Sequence, residues 1–288
     1  MKTCRAALVL LLAALALPLS SFAMPGDDVG KQLKSEYEGK VLTLRHFYQG
    51  ERLSFQSDGP LIGLADVGPW TVDAQIEVKQ IKLGGRELRI RGRRVCLVFD
   101  SKAKTYRDVL QTLAESKLPD RDKREDPFRK RHVEIAIALG SDQPSLSEVS
   151  SAMNAVFLTP EESLRDFVPD FWRDYFDQMA GRARTVRHST EPVYSIKPGV
   201  VSPPRPTYDP NPAFSEEARQ AKYQGTMTLS LIVDPSGDTK DIQIVSPLGL
   251  GLDESAIASV STWKFTPAMK DGKPVTVQIQ VEVDFHLY

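Results

Sequence analysis

The residues of this 288-residue chain that could do chemistry are few, and their spacing does not suit catalysis. His46, His132, His188 and His286 are scattered, and none has a second histidine at helical or hairpin metal-ligand spacing. Of the two cysteines, Cys4 lies in a leader-like segment and Cys96 sits between Val95 and Leu97 in an apolar strand. A lone thiol in that setting suits a small buried side chain better than a nucleophile, and it makes no intrachain disulfide, CxxC pair or cysteine zinc site. No GxSxG elbow, Walker loop or HExxH occurs. The expectation is a non-enzyme with no cofactor and no metal. Arg86, Arg89, Arg91, Arg93 and Arg94 form one basic stretch, read as a solvated sheet face balanced by nearby acids. With 37 basic against 38 acidic residues the formal net charge is -1, which gives no global attraction to nucleic acid.

The chemistry that the sequence does carry belongs to the main chain. Val275, Val277, Ile279, Val281, Val283, Phe285 and Leu287 fill the odd positions of the last segment. Thr276, Gln278, Gln280, Glu282, Asp284 and His286 fill the even ones. Such regular alternation specifies a strand with one face on a core and one in water. At about 3.3 Å per residue it reaches roughly 40 Å, and it is expected to outrun its partner and leave backbone donors and acceptors unpaired.

The elements that must position this strand follow from pattern and punctuation. A composition with 41% hydrophobic and 26% charged residues excludes wholesale disorder, a rod and a multi-span membrane protein. Between residues 38 and 100 the chain reads as a small antiparallel sheet or barrel of four to six strands. Its expected features are a hairpin at Gln49-Gly50-Glu51, a strand from Trp70 to Leu83, a Gly84-Gly85 turn and a short strand at Val95–Phe99. A helix over Tyr106–Ser116, a charged loop over Pro119–His132 and a strand over Val133–Leu139 follow. Ser145 or Ser147 is expected to cap a helix, Thr159 another from Pro160, and Pro169 to break or kink that one. Val200 to Pro212 holds five prolines and reads as a stiff extended linker. The expected organisation is a signal peptide over 1–23, a mainly β domain with a few helices over 24–185, a Pro-rich linker over 186–212 and a C-terminal domain over 213–288.

In that last unit a short helix starts at Ser215, a strand spans Thr226–Val233, and Asp234-Pro235-Ser236-Gly237-Asp238 turns into a strand carrying Ile242 and Ile244. Asp253 is then expected to cap a helix bearing Ile257, Val260 and Trp263. The β-β-α-β order resembles the C-terminal domain of the TonB energy-transducer family, an α+β fold with an antiparallel sheet. The resemblance is carried by Pro212-Ala213-Phe214-Ser215-Glu216-Glu217-Ala218-Arg219, Gly225-Thr226 and Asp234-Pro235-Ser236-Gly237. Leu252-Asp253-Glu254-Ser255-Ala256, Trp263-Lys264-Phe265-Thr266-Pro267-Ala268 and Asp271-Gly272-Lys273-Pro274-Val275 complete it. It covers about residues 200–288; Phe214-Ser215 stands where the family often has Tyr-Pro. The resemblance implies a module that adds a short segment of an outer-membrane receptor, or of another envelope protein, to its sheet edge. It makes Gln278, Gln280, Glu282 and Asp284 the candidate partner contacts, and Trp263 and Phe265 core anchors. The competing expectation is an envelope scaffold that forms homodimers by pairing edge strands.

Lys2 and Arg5, the apolar run Ala6–Leu17 and small residues at Ser21 and Ala23 read as a secretory signal peptide. The run is shorter than the about 20 residues that a membrane-spanning helix needs. The expected location is the periplasm, or the inner membrane facing it if the leader is retained. Mass spectrometry of the exported protein is expected to find a first residue just after Ala23; a start at Met1 establishes retention.

Overall fold

The structure is a computed structural model that describes residues 26–115, 127–182 and 192–287. The leader, His188 and residues 119–126 of the charged loop lie outside the described residues. The N-terminal part comprises α1 (Gly26–Tyr37), β1 (Val41–Thr43), β2 (Arg52–Phe55), α2 (Trp70–Asp73), β3 (Gln75–Gly84), β4 (Glu87–Val95), β5 (Leu97–Asp100) and β6 (Thr105–Asp108). It continues with α3 (Val109–Glu115), β7 (His132–Ala138), α4 (Leu146–Val156), a 3-10 turn at Leu164–Asp166 and α5 (Asp170–Met179). One sheet has the order β1-β3-β4-β7-β2. It is mixed, because β2 runs parallel to β7 while the other pairs are antiparallel. Alternate residues Ile76, Val78, Leu88, Ile90, Ile135 and Ile137 fill a core closed by Val29 and Leu33 of α1 and by Val149, Met153 and Val156 of α4.

Several expectations change here for local physical reasons. The hairpin at Gln49–Glu51 does not form, and β1 and β2 lie at opposite edges of the sheet. Arg94, buried in the interior, donates to the carbonyls of Tyr48 (2.7 Å) and Gly50 (2.8 Å), which holds that segment as a crossover. Trp70–Asp73 is a helical turn after Pro69, so the strand begins only at Gln75. Ser145 caps α4 by accepting from the Glu148 N–H, as its position suggests. Pro160 opens no helix: the Glu162 carboxylate accepts from the Thr159 N–H and takes two 2.6 Å bonds from the Arg45 guanidinium. Pro169 starts α5 instead of kinking a longer helix.

The C-terminal part contains β8 (Arg205–Tyr208), α6 (Glu216–Ala221), β9 (Gly225–Val233), β10 (Thr239–Ser246) and α7 (Leu252–Val260). It ends with β11 (Lys264–Thr266), β12 (Ala268–Lys270), β13 (Lys273–Val275) and β14 (Val277–Phe285). Its main sheet has the order β10-β9-β14, all antiparallel, so the molecule as a whole is α+β. The turn before β10 is built by Asp234, whose Oδ1 accepts from the N–H groups of Ser236 (2.8 Å) and Asp238 (3.0 Å). Gly237 there has φ +84°, and a Cβ would lie 1.9 Å from the Phe265 carbonyl oxygen. The Pro-rich stretch is not a free spacer, since β8 pairs with β11 and Val201 is buried against Lys270. Proline is tolerated in such a peripheral strand, where no ladder bond needs its missing N–H.

One hydrophobic cluster runs through both parts. Trp70, Phe99, Val109, Phe128, Trp172 and Tyr175 pack with Leu229, Leu231, Leu250, Leu252, Val260 and Phe285. Helix α7 is central to this junction. Its N-cap is Gly251, and Asp253 sits inside the first turn, fully buried, accepting from the N–H groups of Leu248 (2.8 Å) and Gly249 (2.7 Å). Its neighbour Glu254 accepts from the Trp172 indole N–H of α5 at 3.0 Å, and its other carboxylate oxygen is buried without a partner among the described residues. Burial, and then the adjacent Asp253 carboxylate, push the Glu254 carboxyl well above the usual glutamate range. A raised acid favours folding while it keeps its proton and withdraws that stability as pH climbs through the raised value. Thermal unfolding of the wild type is therefore expected to be easier at pH 8.5 than at pH 5, by about 1–3 kcal/mol. Burial also raises the Asp73 and Asp253 carboxyls to about 6, so Glu254→Gln is expected to reduce that difference without abolishing it; an unchanged difference contradicts the assignment.

Candidate partner-binding edge

Strand β14 is fixed from its apolar side. Val277, Val283 and Phe285 are buried, Ile279 and Val281 are half-buried, and Phe214 meets Phe285 edge-on at 5.4 Å between ring centroids. This anchoring sets every even residue on the opposite face, where Gln278, Gln280, Glu282 and Asp284 are all exposed. Two of them touch β9. The Gln278 amide donates to Ser230 Oγ (2.8 Å), and the Thr226 hydroxyl donates to Asp284 Oδ1 (2.5 Å). Gln280 stands opposite Ser230, and Glu282 opposite Thr228.

The strand is shorter than its alternation suggests. Val275 belongs to β13 and pairs with Ala268, so β14 has nine residues and runs in full register with the nine of β9. It does not outrun its partner. Its outward groups lie instead along its flank, because among the described residues β14 ends the sheet and β9 is the only strand beside it. At the start of its outer flank the Tyr194 N–H donates to the Thr276 carbonyl (2.9 Å), and Tyr194 bridges Val277 in parallel. That bond shows the Thr276 carbonyl pointing away from β9. Strand alternation then turns the N–H and C=O groups of Gln280, Glu282 and Asp284 outward as well. The residues with exposed side chains are thus the ones with outward main-chain groups.

The other candidates resolve into structure. Phe265 is buried, and Trp263 is half-buried with its indole N–H on the Pro210 carbonyl at 3.1 Å. The arginine stretch is matched by acids: Arg89 with Glu87, Arg91 with Glu134 (3.0 Å), and Arg93 with Glu77 (2.8 Å) and Asp108 (2.7 Å). Sequence reading did not foresee that Arg94 turns inward to Asp73, nor that Arg131 links Asp73 to Glu217 of α6. These groups line a cavity of about 400 Å³ whose charges are matched within the cluster. No group of side chains able to hold a metal occurs among the described residues, and no described helix is long and apolar enough to cross a membrane.

Residues 210–287 match the family model described as Gram-negative bacterial TonB protein C-terminal. The chain is 30% identical over 100 residues to Protein TonB of Vibrio cholerae serotype O1, covering 34% of this chain and 39% of that protein. It is 31% identical over 81 residues to Protein tonB2 of Pseudomonas aeruginosa, covering 28% of this chain and 30% of that protein. The chain therefore spans well under half the length of these relatives. A solution structure of the Pseudomonas aeruginosa TonB CTD superposes with a TM-score of 0.26 at 18% identity, over 33% of this chain and 93% of that one. The C-terminal part of the molecule is a TonB C-terminal domain.

Cys96 is fully buried between β4 and β5, and burial pushes its thiol up to about 12. A thiol-reactive disulfide reagent is expected to leave it untouched in the native chain from residue 24 onward and to titrate it fully in denaturant. Rapid native reaction contradicts that burial.

Proposed function

We propose that the chain is an exported, non-enzymatic adaptor of the cell envelope, associated with outer-membrane transport, that docks an extended segment of a receptor or other envelope protein on the outer flank of β14. The observation that carries this reading is the one-sided hydrogen bonding of β14. Its groups from Gln280 to Asp284 face outward with no strand beside them among the described residues. Main-chain pairing supplies affinity in such a contact, and side chains at alternate positions set preference. Gln278, Gln280, Glu282 and Asp284 are the proposed contacts. The location follows as the periplasm, on the leader reading together with the TonB relatives. The domain limits given above remain part of the proposal, with the shared core joining the two parts across the Pro-rich stretch.

The test uses the chain from residue 24 to 288, isotope-labelled and titrated with receptor-derived peptides while its mass in solution is followed. Shifts concentrated on β14 with a monomeric chain are the expected outcome. Replacing the edge by Gln280→Pro removes an outward donor and should weaken binding about tenfold, since one buried hydrogen bond contributes roughly 0.5–1.5 kcal/mol and proline also distorts the ladder. A stable dimer through β14 that ignores peptide favours the scaffold reading instead.

A further inference from the structure

The flank of β14 differs along its length. We infer that it selects one class of segment: a short extended stretch carrying lysine or arginine at alternate positions, seated over Gln280 to Asp284. This rests on the docking reading above and adds a length and a charge to it. The length is set by Tyr194. Its backbone already holds the first rung through Thr276 and Val277. Lys270 Nζ lies 4.6 Å from the centre of the Tyr194 ring, and Val201, which follows in the chain, is buried where it bridges Lys270. Past Tyr194, an incoming strand meets the outward groups of Gln280, Glu282 and Asp284. Five residues at about 3.3 Å each make a footprint of roughly 16 Å.

The charge is set by Glu282 and Asp284, exposed two residues apart on the same face. Asp284 accepts from the Thr226 hydroxyl and Glu282 faces Thr228, both uncharged partners. Among the described residues neither carboxylate enters an ion pair. Lys270 and Arg219 are engaged with rings, Lys270 over Tyr194 and Arg219 over Phe214 at 5.9 Å. Side chains of an added strand stand directly beside those of its neighbour, where opposite charges attract and like charges repel. A segment with cations beside Glu282 and Asp284 gains two such pairs. Its intervening residues lie along half-buried Val281 and buried Val283, so they are apolar.

Two labelled nine-residue peptides with the same alternate valines, one with lysine and one with glutamate between them, are titrated into the chain from residue 24 to 288. Fluorescence anisotropy gives affinity, and amide shifts give the footprint. The lysine peptide is expected to bind on the order of two- to thirtyfold more tightly, the range of two cross-strand charge pairs. The preference should shrink at high salt and reverse in the double variant E282K/D284K, with wild-type shifts confined to Gln280–Asp284. Equal affinities, or a preference unchanged by the double variant, overturn the charge selection while leaving docking intact. Shifts that run on through Val277 overturn the length limit. Failure of both peptides to bind, with no shift on β14, overturns the docking reading itself.

Discussion

Among the described residues β14 has a strand neighbour, β9, on one side only, and packing in the rest of the C-terminal domain fixes which side that is. Full-length register with β9 fixes the strand, and burial of Val277, Val283 and Phe285 prevents it from rotating. A one-residue slip would bring Gln278 and Glu282 into the core, so the register is strongly specified. An open flank is also a hazard, because it can pair with any exposed strand. Exposed glutamine and carboxylate side chains on that strand blunt indiscriminate pairing while leaving the backbone accessible. The same features that limit aggregation are those from which selectivity is proposed.

The position of that flank depends on packing well away from it. Asp253 holds the Leu248–Gly249 backbone, and the loop they belong to leads from β10 into α7. Trp172 reaches from α5 to Glu254, and Arg131 reaches from the N-terminal part to Glu217 on α6. The last two contacts tie α7 and α6 of the C-terminal domain to the region before the prolines. The apolar cluster beneath them is continuous. Burying charge costs solvation, and here Asp253 meets two backbone donors and Arg131 two carboxylates, while burial raises the Glu254 carboxyl.

Sequence legibility tracked how local the determining contacts are. The alternation from Val275 to Leu287, the Asp234 turn, a cap at Ser145 or Ser147 and a helix start at Ser215 are read from neighbours in the chain, and the structure has the strand over Val277–Phe285, the turn, the Ser145 cap and the helix. The crossover at Gln49–Glu51 was not legible, because it depends on Arg94, more than forty residues away. The docked Pro-rich strand was missed for a similar reason: its partner β11 lies far along the chain, and proline content alone suggested a spacer. For the candidate site, residue types and their facing were readable, whereas the side on which β14 lacks a neighbour was not. Strand order is a property of long-range pairing, and alternation is silent about it. The contact at Tyr194 was equally hidden, since one backbone hydrogen bond leaves no pattern in residue type.

The continuous cluster has a practical side. Severing the chain at the prolines would strip Leu250 and Leu252, and the inner surface of α7 with them, of Trp70 and Trp172. A freshly bared apolar area of that kind invites self-association regardless of biology. Oligomers formed by a trimmed C-terminal fragment would therefore report the missing cover, and only the assembly state of the longer chain speaks to its behaviour in the cell.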